Sequence, residues 1–158
     1  MKRARSNASG AVQKVAMPVI VIDSREQRPL TFGAAQETRR VALRSGDYSV
    51  AGLVDRVAIE RKSLADLYNC VGWSRERFER ELARLSALRY AALVVEGTMA
   101  EVLDGVPYSR VHPNAVLGSL LAWSVDHRLP IFFCDDRRLA ALTVMKLLKK
   151  CDVRFRGR

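Results

Sequence analysis

Residues 57–69, "VAIERKSLADLYN", begin as a buried strand, set Glu60, Arg61 and Lys62 side by side, and then run on as a helix. Val57, Ala58 and Ile59 are the apolar start of the strand. Ser63 followed by Asp66 has capping-box spacing, which predicts a short helix over 64–70. Side chains alternate across a strand, so Glu60 and Lys62 share one face and Arg61 takes the other. One stretch therefore supplies a strand, a helix and an unexplained cluster of charge.

Reading outward, "PVIVID" at 18–23 is a continuous apolar run that ends at Asp23 and is bounded by the turn-like "SREQRP", as in a strand buried on both faces. "TRRVALRS" and "DYSVAG", broken at Gly46, suggest two further strands, so residues 39–62 read as a meander. Residues 74–89 form the clearest helix: Phe78, Leu82, Leu85 and Leu88 mark one face, while Arg75, Arg77, Arg80 and Arg84 lie largely away from it. "YAALVVEG" is a second buried strand ending in an acid, "PNAVLGSLLAWSVDH" an unusually apolar helix, and "PIFFC" another strand. The last segment, "DDRRLAALTVMKLLKKC", is a long helix with acids first and lysines last, matching its dipole. The order predicts an α/β, three-layer fold around a mixed sheet.

Composition narrows the function. The 158 residues, 49% hydrophobic and 28% charged, are those of one soluble domain. Lys and Arg number 27 against 17 acids, a formal charge of +10, and most of the excess is Arg. Such a field favours a polyanion as partner. Cys70, Cys134 and Cys151 have no metal-type spacing and no disulfide pattern, which points to a reducing compartment. The apolar runs are far shorter than the ~20 residues of a membrane span, and no secretory cleavage pattern is read. The expected location is the cytoplasm, on a nucleoid or within a nucleus. Residues 1–16, basic and free of acids, read as a flexible arm.

Asp47 opens the strand before Glu60, so a hairpin brings two carboxylates and the Lys62 ammonium to one end of the sheet. Hard oxygen ligands for Mg²⁺ or Mn²⁺, with a cation nearby, are what phosphodiester hydrolysis requires. Asp23, and Asp66 at the helix start, extend this to as many as four carboxylates, which would repel one another without a divalent ion. Asp66 has a second reading as the helix N3 acid bonded to Ser63.

"GDYSV" at 46–50 followed by "AIERKSLADL" at 58–67 resembles the G-D-Y … V-E-R-K-S-x-x-D-L signature of the XPF-type nucleases, the excision-repair and Mus-type structure-specific endonucleases of the PD-(D/E)xK superfamily. "VIDSREQ" is similar to that family's opening V-D-x-R-E, and "ALVVEG" to its later buried strand. The resemblance spans about residues 18–150. It implies a restriction-endonuclease-like fold, with Asp23, Asp47 and Glu60 binding Mg²⁺ or Mn²⁺ and Lys62 assisting catalysis. Arg61, Asp66, Arg25 and Glu26 match supporting or substrate-orienting positions. The family's Gly-Arg pair is replaced around Ser74–Arg77, so its role falls to Arg75 or Arg77, and Glu81 stands where a Gln is expected.

The resemblance further implies a nuclease domain over residues 17–158 without helix-hairpin-helix domains, acting in DNA repair or recombination. The expected substrate is branched, flap or fork DNA, gripped independently of sequence by Arg75, Arg77, Arg80 and Arg84. A homodimer through the C-terminal helices is expected, since the two apolar segments exceed what one side of a small sheet needs. Two alternatives stand beside this reading: a Holliday-junction resolvase or restriction-like nuclease, and a catalytically silent DNA-binding scaffold.

Overall fold

A computed structural model describes residues 17–156; the basic arm read at 1–16 lies outside the described residues. The elements follow in the order β1 Ile20–Asp23, β2 Thr38–Val41, β3 Tyr48–Val50, β4 Val57–Ser63, α1 Leu64–Val71, α2 Arg75–Ser86, β5 Tyr90–Glu96, α3 Met99–Asp104, α4 Pro113–Asp126, β6 Ile131–Cys134 and α5 Arg137–Phe155. The six strands form one mixed sheet ordered β2-β1-β3-β4-β5-β6. The α/β, three-layer expectation holds, with helices on both sheet faces. No helix among the described residues is long and apolar enough to cross a membrane.

Strand alternation sorts the core into two layers. Ile20, Ile22, Tyr48, Val50, Val57, Ile59 and Val94 point to the face covered by α5, where Ala140, Val144 and Leu148 meet them. Ala58, Leu93 and Val95 point to the other face, against Leu67 of α1, Phe78, Leu82 and Leu85 of α2, and Leu120 and Trp123 of α4. The apolar stripe read on α2 is thus the one it buries.

β4 and β5 run parallel, joined by the α1–α2 crossover, and β5 and β6 run parallel, joined by α3 and α4. β1–β3 and β3–β4 are antiparallel. Consequently the C-terminal ends of β1 and β4 and the start of β3 lie together at one end of the strands. Asp23, Asp47 and Glu60 arrive there together because of topology rather than proximity in sequence.

The meander expected over 39–62 is corrected. β2 pairs parallel to β1 and lies on its far side, so it does not neighbour β3. β1 is buried throughout and needs a partner on each side, whereas β2, "TRRV", is exposed at every position and suits a charged edge that discourages further pairing. The return from β2 to β3 is pinned at Leu43, whose N–H donates to Asp23 Oδ2 and whose carbonyl accepts from Arg25 Nη2. α3, which the sequence reading passed over, is closed by a complete capping box between Thr98 and Glu101.

Candidate active site

Backbone pairing sets the frame of the site. Asp47 N–H donates to Ile59 O at 2.9 Å, and Asp23 N–H donates to Asp47 O at 2.8 Å. Gly46 makes this approach possible: its φ is +73°, and a Cβ there would lie 2.8 Å from Ala58 Cβ and 3.2 Å from Ile59 O. Only Gly fits both the left-handed conformation and the contact. The Gly46 N–H is taken by Glu81 Oε1 of α2 at 2.8 Å, so α2 braces the loop that presents Asp47.

Glu60 and Lys62 leave β4 on the α2 face, as alternation requires. Glu60 is 6% exposed, and its Oε1 accepts from Lys62 Nζ at 2.5 Å. The Lys62 ammonium also lies 4.8 Å from the centroid of the Phe78 ring. Burial by itself would lower its proton affinity, but the Glu60 charge and hydrogen bond outweigh burial and raise it. The paired Glu60 charge thus favours the ammonium form of Lys62.

Asp47 is half-buried, and its Oδ2 accepts the Arg61 backbone N–H at 2.8 Å. Burial first, and the neighbouring Glu60 charge second, push the Asp47 carboxyl up to about 8. Burial also raises Glu60, against the pull of Lys62. Burial thus disfavours negative charge on both carboxyls, and only Glu60 has a cation, Lys62, in direct contact. Such a donor set fits Mg²⁺ or Mn²⁺, which needs only one or two protein carboxylates because water and substrate phosphate complete its shell.

Asp23 stands differently. Arg25 grips it through Nε–H to Oδ1 at 3.0 Å and Nη2–H to Oδ2 at 2.6 Å, and the Arg25 and Leu43 N–H groups complete its bonds. Although burial raises its carboxyl, these bonds win and hold it below the ordinary range. Both of its oxygens are engaged by protein donors. Among the described residues no group of three His, Cys, Asp or Glu side chains is arranged to hold a metal, so the four-carboxylate cluster is not assembled. Asp66 takes its capping role, with Ser63 Oγ–H donating to Asp66 Oδ2 at 2.7 Å and Asp66 N–H donating to Ser63 Oγ at 3.1 Å.

Arg61, on the opposite face, spans the sheet underneath. Its Nη1–H donates to Glu96 Oε1 of β5 at 2.8 Å, and its Nη2 reaches both oxygens of Glu26 and the carbonyl of Arg28. Arg137 meets the same Glu96 and donates to the carbonyls of Arg28 and Pro29. The loop after β1 is thereby tied under the site by two guanidinium groups. Sequence reasoning noted the acid ending "VVE" but not that it would pair with Arg61 from the adjoining strand.

Asp23, Arg25, Glu26, Asp47, Glu60, Lys62, Asp66, Arg77 and Glu81 line one recess of about 690 Å³. Of the four expected DNA-contacting arginines, Arg75 is tied to Glu79 and Ser119, and Arg84 to Glu81. Arg77 and Arg80 are exposed and carry no side-chain hydrogen bond or ion pair among the described residues. Glu81 was seen in the sequence only as an odd substitution. No local spacing in the sequence signalled its bond to the Gly46 N–H.

The raised Asp47 carboxyl has a consequence for stability. A carboxyl moved from an ordinary 3.8 to about 8 on folding favours the folded state fully at acid pH and withdraws that stability as pH rises from about 4 to about 8. Asp47→Asn removes the charge and retains an acceptor for the Arg61 N–H. In EDTA at pH 8 it is expected to raise stability by about 1–2 kcal/mol, the usual gain when a strained functional group is removed. The gain shrinks toward pH 5, which thermal denaturation at the two pH values checks; a loss at pH 8 would contradict the assigned charge pairing.

A family model for the ERCC4 domain matches residues 22–147. A putative ATP-dependent RNA helicase of Methanocaldococcus jannaschii is 30% identical over 112 residues, which is 71% of this chain and 13% of that protein. The 3'-flap repair endonuclease Xpf of Saccharolobus solfataricus is 30% identical over 99 residues, 62% of this chain and 40% of that protein. The chain thus spans less than half the length of either relative. Among solved structures, XPF from Aeropyrum pernix superposes with a TM-score of 0.66 at 21% identity, covering 87% of this chain and 69% of that one. The same protein in complex with DNA gives 0.66 at 20% identity, covering 87% and 66%. At these identities the likeness establishes the fold.

Proposed function

This chain belongs to the ERCC4 domain family, that of the XPF-type nuclease domains, and from that premise we propose that it is a metal-dependent DNA endonuclease acting at branched or junction DNA in repair or recombination. The observation that carries the reading is that two carboxylates, the half-buried Asp47 and the buried Glu60, and the Lys62 ammonium paired with Glu60 share one recess. That combination serves hydrolysis of a phosphodiester better than it serves stability, since an apolar corner would cost less to bury.

Asp47 and Glu60 would hold Mg²⁺ or Mn²⁺, which when bound polarises the phosphoryl group and lowers the pKa of an attacking water. Lys62 presents its ammonium to the phosphoryl oxygen on which charge develops, preorganised by Glu60 and the Phe78 ring. Asp23, locked by Arg25, shapes the recess, and the exposed guanidinium of Arg25 is available to a phosphate. Arg77 and Arg80 add sequence-blind phosphate contacts that weaken with salt.

Residues 17–158 constitute the nuclease unit, with 1–16 adding basic charge. Exposed Leu121 and Val125 of α4 and Leu142 of α5 support pairing of two copies through these helices. The DNA complex of the structural neighbour supports a DNA substrate, and the flap-repair name of the Saccharolobus relative favours a junction. A panel of flap, fork, four-way and linear duplexes tests this: preferential cleavage of flaps and forks is expected. Selective cutting of four-way junctions would identify a resolvase, and indifference to DNA structure a restriction-like enzyme.

A further inference from the structure

The turn between α1 and α2 holds Trp73 97% exposed, an extreme for the largest apolar side chain. The chain has two tryptophans. Trp123 is 2% exposed, packs edge-on to Phe78 at 5.1 Å, and donates its Nε1–H to Glu79 at 2.9 Å. Trp73 has no ring contact or hydrogen bond through its side chain among the described residues.

The backbone of the turn is tied on both sides of Trp73. Gly72 N–H donates to Tyr68 O at 3.0 Å, Ser74 N–H donates to Asn69 O at 2.9 Å, and Ser74 Oγ–H donates to the same carbonyl. A Cβ on Gly72 would come within 2.8 Å of Val111 Cγ2, so the turn is also seated against the loop before α4. The tied turn holds the Trp73 backbone so that its indole projects into solvent, where a ligand can reach it.

What it meets is indicated by its surroundings. Trp73 lines a groove of about 820 Å³ that also contains Lys62, Asp66, Arg77 and Arg80, and Lys62, Asp66 and Arg77 line the candidate active-site recess as well. Groove and recess are therefore continuous through shared residues. A flat aromatic beside unpaired guanidinium groups is how proteins hold single-stranded nucleic acid, with the bases stacked and the phosphates neutralised. Within a duplex, away from its ends, each base is stacked on both sides and offers no free face.

We propose that Trp73 stacks on an unpaired base of a DNA strand whose phosphates follow Arg77 and Arg80 toward Lys62. The inference rests on the nuclease reading and deepens it: the site is matched to DNA that presents an unpaired nucleotide beside the phosphate to be cut. Preference for a junction over plain duplex is then partly built into this domain.

The test is titration of the protein, in EDTA, with oligothymidylate, a forked DNA and a blunt duplex, read by tryptophan fluorescence and by anisotropy of labelled DNA. Trp123 is shielded, so quenching reports Trp73. Quenching by oligothymidylate and fork but not by duplex is expected. Trp73→Ala should weaken binding of the first two by about 5- to 150-fold, the worth of one stacked base, and leave duplex binding unchanged. Trp73→Phe should restore most of the affinity. Because the side chain is exposed, the Ala variant should melt with wild type, which excludes a folding effect. Unchanged affinity in Trp73→Ala, or equal loss on duplex and single strand, overturns the stacking role and leaves the nuclease reading standing. Failure of wild type to bind any of the three DNAs overturns both.

Discussion

Lys62→Ala is expected to lower Mn²⁺-dependent DNA cleavage about 10²- to 10³-fold, the loss seen when one preorganised charge donor is removed from a transition state. Because Lys62 stays protonated in the folded protein, its contribution is electrostatic, and the rate should not titrate through it between pH 6 and 9. Affinity for the same DNA should change only a few-fold, since Arg77 and Arg80 remain. Lys62→Arg is not expected to restore the rate, because a planar fork cannot occupy the place of a point charge held between Glu60 and Phe78. Single-turnover cleavage together with anisotropy separates the two effects. A Lys62→Ala enzyme with full rate would remove Lys62 from the chemistry.

The second large effect falls on stability. Arg61→Ala leaves Glu26 without a cationic partner and Glu96 with Arg137 alone, where the Arg61 and Glu26 side chains are 10% exposed and Glu96 is 15% exposed. Breaking a buried pair by removing one partner costs about 3–5 kcal/mol, because the remaining charge is stranded. A domain of this size should then melt about 10 °C lower or more. Burial works against the Arg61 guanidinium, yet hydrogen bonding to Glu96 and the charge of Glu26 raise its proton affinity, so the protein keeps this stabilisation throughout the neutral and alkaline range. Arg61→Met combined with Glu26→Gln should recover part of the loss, which thermal denaturation of the single and double variants measures. Arg61 thus braces the floor of the site, and its removal should reduce activity through the fold.

What was legible in the sequence were the features that repeat locally. The β-branched runs became β1, β4 and β5, and the 3.6-residue spacing of Phe78, Leu82 and Leu85 marked the buried face of α2. Strand alternation separated Glu60 and Lys62 from Arg61, and the short hairpin set Asp47 beside them. Long-range choices left no local trace. β2 is too short and polar to announce which strand it joins, and only the need of β1 for a second partner places it at the edge.

The acids illustrate the same limit. Asp23 read as a member of the metal-binding acidic cluster, yet Arg25, two residues on, folds back over it, a pairing that the Asp-x-Arg spacing permits but does not compel. Glu81 joins the site across 35 residues through the Gly46 N–H, and no period in the sequence encodes that contact. The capping box of Thr98 and Glu101 was readable and would have found α3.

The central claim, that Asp47, Glu60 and Lys62 form a metal-dependent nuclease site, is tested most directly by cleavage of a forked DNA by wild type and Asp47→Asn, each with Mn²⁺ and with EDTA. Wild type cutting only with Mn²⁺, and the folded variant cutting under neither condition, is the expected result. Equal cleavage by both proteins, with or without the metal, would contradict it.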